Sequence, residues 1–413
     1  MSDAVLLDRE RIKELFDLRS SVITFTGGDL TADPYPRWRE LRESGPVHAG
    51  TVHNLSGIEG DLFWHGLTEP GGDHFSAFSF ATCDQAHRNP EVFASSPGAV
   101  DADGEVGFES SMLSMGGTQH RRYRALVQPS FVPAKAQWWI AKWIDETVHA
   151  LIDSFEAEGR AELNVDFCAA IPVLTITGSF GIDVARALDV RENLRDAAKV
   201  AEIIGPIVEA RRAHPEDDLI SVLAEAEITD EDGTHRLSDA EIYSFAYLLL
   251  LAGSGTTWKQ MGITLSALLQ RPELLDAVRN DRSLLKPAIE ESLRWEPTDP
   301  MFSRWATRDT ELGGVAIPKG SVVHLCLGAA NRDPERWERP DEYDLHRPAK
   351  PSMGFGGGPH ICLGMHVARA EMSVGISALL DRLPNLRLDP DAPAPHTLGF
   401  YERGVMEIPV VFG

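Results

Sequence analysis

The sequence predicts a mainly α fold with small β-sheets, and three observations predict it. Helical periodicity runs through most segments from about residue 119 to 290. One of those segments, opening at Ser238, is long and apolar on nearly every face from Phe245 to Ala252. After residue 297 the pattern changes to strand-like alternation.

Taken in chain order, YPRWRELRESGPV at 35–47 reads as a short helix ending at Ser44-Gly45-Pro46. The Gly-Pro pair stops the helix and launches an extended segment. PGAVDADGEVGF at 97–108 is rich in glycine and acid and lacks periodicity, so it reads as a long loop. Ser238-Asp-Ala-Glu241 is a capping box, in which Ser238 caps the helix and Glu241 reaches back. The helix it opens continues to about Gln270 and, at 1.5 Å per residue, is about 45–50 Å long. VAIPKGSVVHLCLGAAN then alternates as strands around a Pro-Lys-Gly turn. No convincing linker separates the helical and strand-rich parts. The expectation is one domain over 1–413, with β-rich portions near 45–82 and 297–413.

Composition is that of an ordinary globular chain, with 43% hydrophobic and 25% charged residues. The formal net charge of −24 argues against binding nucleic acid or anionic membranes. The N-terminus carries charges within its first ten residues and has no apolar run of signal length. No uninterrupted stretch of about eighteen apolar residues appears, so no membrane span and a cytoplasmic location are expected. The four cysteines, Cys83, Cys168, Cys326 and Cys362, are widely spaced and form no CxxC pair. A zinc site or disulfide framework is therefore not expected.

One cysteine has unusual surroundings. In GFGGGPHICLGMHVARAE at 354–371, Gly354, three consecutive glycines and Gly364 surround Cys362. Glycine lets backbone amides approach a sulfur closely. Those amides, and the positive end of a helix starting near Leu363, would stabilise a thiolate. The residues alone leave three readings open: a buried structural cysteine, a nucleophile or a metal ligand. A phosphate cradle is disfavoured, because no Walker-type Lys-Ser/Thr and no strand–GxGxxG–helix arrangement is present.

The run Phe355-Gly356-x-Gly358-x-His360-x-Cys362-x-Gly364, followed by Ala368-Arg369, resembles the cysteine-ligand motif of the cytochrome P450 family at every fixed position. The resemblance implies the cytochrome P450 fold, with haem between the long central helix and the cysteine loop. It implies haem b (iron protoporphyrin IX) as cofactor and Cys362 as the axial thiolate to iron. His360 would then hydrogen-bond a propionate, and Phe355 would pack near the sulfur. Glu291-x-x-Arg294 places two side chains on one helix face and is similar to the family's ExxR pair. Its third member would be Arg347, with Arg339 as the other choice. His120-Arg-Arg-Tyr-Arg124 resembles an HxxxR element whose His120 and Arg124, four apart on a helix, suit two carboxylates. Arg304 matches a further propionate-binding arginine.

Ala252-Gly253-Ser254-Gly255-Thr256-Thr257 lies mid-helix, where each glycine costs about 1 kcal/mol against alanine. Close approach of another backbone is one explanation. The family places its oxygen-binding kink here, with Ala252 against the haem and Thr256 organising water and protons. Gly255 stands where the family usually has an acid, and glycine cannot relay a proton.

The reaction implied is insertion of one oxygen atom from O2 into a small apolar organic substrate, by hydroxylation or dealkylation. Electrons would come from NAD(P)H through a ferredoxin-type donor and its reductase, attracted in part by Arg121, Arg122 and Arg124. The resemblance places the substrate among the 97–115 loop, Phe245 to Leu249, Asp299 to Phe302 and Gly399 to Tyr401. The chain is expected to be a monomer. Gly255 keeps open a haem-thiolate peroxygenase or a haem enzyme that does not monooxygenate, and a haem-binding sensor is more remote.

Overall fold

Where the sequence supplies caps, helices begin. The computed structural model describes residues 8–18, 32–58, 72–98, 100, 110–230 and 233–413. Among these, the helices of seven residues or more in the N-terminal half are α1 (Arg9–Leu15), α2 (Tyr35–Ser44), α3 (Phe80–Arg88), α4 (Gly117–Val127), α5 (Asp145–Phe155), α6 (Ala170–Ser179), α7 (Ala187–Asn193) and α8 (Ala197–Ala213). They continue with α9 (Leu219–Glu225), α10 (Asp239–Gly255), α11 (Thr257–Leu269), α12 (Pro272–Asn280), α13 (Leu285–Trp295) and α14 (Met365–Arg382). No single helix among the described residues is long and apolar enough to cross a membrane.

The capping box forms in both directions. The Glu241 amide donates to Ser238 Oγ at 3.2 Å, and the Ser238 amide donates to Glu241 Oε2 at 2.7 Å. Tyr123 donates its hydroxyl to Glu241 as well, which ties α4 to the start of α10. Phe245 to Leu250 are buried, as the all-round apolar pattern requires. The predicted single helix is in fact two. It breaks at Thr256, where the side chain donates to the Ala252 carbonyl at 3.2 Å. Hydroxyls that bond back to i−4 carbonyls bend helices, and two nearby glycines make the backbone compliant.

The two strands expected around the Pro-Lys-Gly turn are present. β9 (Val315–Ile317) and β10 (Val322–Cys326) both form, but they do not pair with each other across the turn. β9 pairs antiparallel with β8 (Thr310–Leu312). β10 lies inside a five-stranded sheet, parallel to β2 (His74–Ala77) and antiparallel to β7 (Met301–Ala306). β1 (Val47–Ala49) and β3 (Phe93–Ala94) complete its edges. All five β10 residues are buried, because the strand is covered on both faces. Val323 and Leu325 join one apolar group, whereas Val322 and Cys326 join another with Trp38 and Phe400. The closing strands appear as β12 (Thr397–Leu398) with β13 (Gly404–Val405), and as β14 (Pro409–Val411). The largest apolar group is helical and includes residues of α5, α6, α10, α11, α13 and α14.

Glu291 and Arg294 are not the solvated surface pair that their spacing usually gives. Their side chains are 5% and 2% exposed and bond twice, at 2.8 Å each. Arg347 is the third member, with Nε 3.0 Å from Glu291 Oε1. Arg339 pairs instead with Glu342 and Asp344. The remaining donors of Arg294 reach the carbonyls of Asn331, Pro340 and Glu342. Breaking such a buried pair leaves an uncompensated charge and costs about 3–5 kcal/mol. Glu291→Gln and Arg347→Ala are therefore expected to lower unfolding free energy by about 3–5 kcal/mol in denaturant titrations. Arg339→Ala should stay within about 0.5 kcal/mol of the parent; equal losses for all three would refute the assignment.

Candidate functional site

The Cys362 loop is shaped by backbone contacts that exclude side chains. A Cβ on Gly354 would stand 2.6 Å from the Leu293 carbonyl oxygen of α13. Gly356 and Gly358 have φ of 71° and 66°, the left-handed region that glycine supplies. A Cβ on Gly358 would also run into the His87 carbonyl of α3. The loop closes on itself when the Cys362 amide donates to the Phe355 carbonyl at 3.0 Å. Gly364 caps α14, and a Cβ there would meet nothing within 4 Å. Phe355 lies under the Arg369 guanidinium at 4.6 Å, and Arg369 is paired with Glu290.

The expected thiolate is not favoured by the loop alone. Burial pushes the Cys362 thiol up to about 11, and the Gly364 amide, Arg124 and Arg369 only partly oppose this. Asp299 lies near enough to push in the same direction as burial. A bound metal cation reverses this balance, since a coordinated thiol is deprotonated outright. The arrangement therefore suits a metal ligand better than a free nucleophile.

The helix break offers a second open surface. Ala252 is exposed, and Leu251, Gly253 and Thr256 are partly so, in a helix otherwise packed on most sides. The two glycines have different reasons. A Cβ on Gly253 would stand 3.0 Å from the Ile176 side chain, so packing of α6 requires it. Gly255 meets only Arg191, at 3.6 Å.

Basic side chains gather beside the loop. The His120 and His360 rings are 4.0 Å apart. Burial lowers His120 to about 4 and His360 to about 2, with nearby Arg124 and other cations adding to the effect, so both are neutral near pH 7. Arg124 donates to the Ile361 carbonyl at 2.8 Å. Arg304 sits on β7, with burial lowering it to about 10 and one bond to its neighbour's carbonyl. No carboxylate among the described residues neutralises it. Such a cluster invites an anion.

Arg124 thus turns inward, whereas Arg121 and Arg122 remain exposed. Residues 99 and 101–109 of the expected pocket loop lie outside the described residues. Ser110, Met112, Met115 and Phe245 line a cavity of only about 10 Å³, room for about one water molecule and far too small for an organic ligand. Sequence reasoning missed two residues near the site. His87 is buried with neither ring nitrogen partnered among the described residues, and burial and Arg304 lower it to about 3. Glu371, on α14, lies beside the hydroxyls of Thr257 and Thr175, and burial pushes its carboxyl up to about 8. An acid on an apolar helix face is the signal that marks it.

Comparisons with known proteins agree on one family. The family model described as Cytochrome P450 matches residues 184–398. A putative cytochrome P450 126 of Mycobacterium tuberculosis is 32% identical over 372 residues, spanning 83% of this chain and 89% of its own. The cytochrome P450 monooxygenase PikC of Streptomyces venezuelae is 30% identical over 404 residues, spanning 93% and 92%. The crystal structure of HmtN, a post-tailoring hydroxylase of himastatin biosynthesis, superposes with a TM-score of 0.72 at 30% identity, covering 82% and 91%.

The two glycines should respond oppositely to substitution. Gly255→Ala is expected to stabilise the protein by up to about 1 kcal/mol through helix propensity. Gly253→Val should destabilise it by about 1–3 kcal/mol through overpacking against Ile176. Thermal and denaturant unfolding read both, and a destabilised Gly255→Ala would show that the 255 position is also packed.

Proposed function

This chain belongs to the cytochrome P450 family, whose members are haem-thiolate monooxygenases, and we propose that Cys362 carries its iron. The observation behind this is the Cys362 loop, a half-buried thiol in a glycine cradle that a metal cation would ionise. The residues present fit a haem. Arg304 is a half-buried cation with no carboxylate partner among the described residues, and Ala252 and Gly364 both leave open surface.

His120, Arg124, Arg304 and His360 would hold the two propionates of haem b, while Phe355 supports the thiolate side. When bound, the haem supplies reductive activation of dioxygen. Thr256 holds water at the helix break through its hydroxyl. Glu371, protonated at neutral pH, keeps a proton beside Thr257. The apolar side chains Phe245 to Leu249 and the segments 299–302 and 399–401 exclude water and orient an apolar organic substrate. Asp299, within that segment, would meet a polar substrate group or cap a turn. A ferredoxin-type donor with its reductase would dock over Arg121 and Arg122. A cytoplasmic monomer folded as one domain completes the reading. A peroxygenase is the second reading, favoured by Gly255 alone, because peroxide arrives with its protons and electrons.

The reduced carbon-monoxide difference spectrum tests the ligand. The parent is expected to give a thiolate-type band, and Cys362→Ser to lose it while Cys168→Ser keeps it. A parent protein without that band would sink the proposal. For the donor, Arg121→Glu with Arg122→Glu should slow reduction by a ferredoxin about tenfold at low salt, an effect of steering, with the haem spectrum unchanged. An unaltered rate would place the docking surface elsewhere.

A further inference from the structure

The space beside Gly255 ends on a cation. A Cβ built on Gly255 would reach the Arg191 Nη1 at 3.6 Å and, among the described residues, meet no other atom within 4 Å beyond its own stretch of helix. Arg191 comes from α7, and its guanidinium lies 4.6 Å from the centre of the Phe16 ring. Phe16 in turn packs edge-on against Trp258 of α11, 5.6 Å between ring centres. An aromatic face and a glycine thus flank the guanidinium, and neither neutralises it.

The acid that bears most on Arg191 is Glu402, between β12 and β13. Glu402, however, is ion-paired with Lys259, a buried lysine on α11. Two interior cations therefore share one carboxylate. Burial lowers Arg191 to about 10, which still leaves it charged at neutral pH. A charge held in the interior without a full partner is unfavourable unless an anion joins it. Arg191 is nonetheless partly exposed, like Thr256 one residue beyond Gly255.

We propose that Arg191 anchors a carboxylate of the substrate against Gly255, so that the substrate class is an apolar organic acid. The guanidinium fork matches a carboxylate in two parallel hydrogen bonds. Glycine at 255 leaves the room for it, where any acidic side chain would take the guanidinium for itself. The net charge of −24 does not oppose this. Distant charges are screened beyond about 8–10 Å, whereas Arg191 acts at contact. This inference rests on the haem-thiolate reading and narrows its substrate.

The experiment is calorimetric and spectral titration of the haem-loaded protein with lauric acid and phenylbutyric acid, each beside its primary amide and methyl ester. At least one acid is expected to bind about tenfold to a hundredfold more tightly than its amide and ester, the range of one charge-assisted pair. Arg191→Gln should erase that preference, and Arg191→Lys should keep part of it. Gly255→Asp, which leaves Arg191 in place and fills the space with an internal carboxylate, should erase it too. Equal affinities for acid and amide, failure of both acids to bind, or a preference that survives Arg191→Gln and Gly255→Asp would each overturn the anchor. The carbon-monoxide spectrum of the same preparations separates the two levels. A thiolate band without acid preference removes the anchor alone, and a missing band removes the reading beneath it.

Discussion

A buried carboxylate, Glu291, holds the architecture around Cys362 together. Two arginines neutralise it, and the spare donors of one of them fasten carbonyls at 331, 340 and 342 to α13. Asn331 passes the connection on, since its side-chain oxygen accepts the Met353 amide at 2.7 Å. The next residue, Gly354, then packs directly on the Leu293 carbonyl. The position of the sulfur is thus inherited from an ion triad that does no chemistry. Apolar residues of equal size would hold the helix as well or better, but they would not bind carbonyls of an irregular segment.

What was legible in the sequence was local. The capping box at Ser238 and Glu241, the ExxR spacing and the glycine loop each lie within a few residues, and each formed as read. Pairing across the chain was not legible. Alternation marked β9 and β10 as strands, yet β9 folds back on its immediate predecessor β8, whereas β10 takes as one neighbour β2, from the other end of the chain. Gly253 and Gly255 look alike in sequence. Only Ile176 and Arg191, brought from other helices, tell them apart. The thiol of Cys362 shows the same limit, because loop composition suggested amide stabilisation while burial, a property of the whole fold, prevailed.

The basic cluster at the loop has a thermodynamic side. Two buried histidines, His87 and His120, with half-buried His360 and Arg304, carry desolvation that no carboxylate among the described residues offsets. An anionic cofactor that bound only the folded chain would offset it, and its binding free energy would then add to stability. Cofactor retention and fold stability would for this reason be linked quantities.

The hydroxyl at the helix break has one more consequence. Thr256 has a single hydrogen to give, and it is committed to the Ala252 carbonyl. Toward the open side it therefore presents lone pairs only. A water molecule settling there must point a hydrogen at Thr256 and leave its own oxygen facing outward. The break thus imposes a direction on any hydrogen-bonded chain that reaches it, and a route that needs Thr256 as donor must first release Ala252 and let the helix straighten.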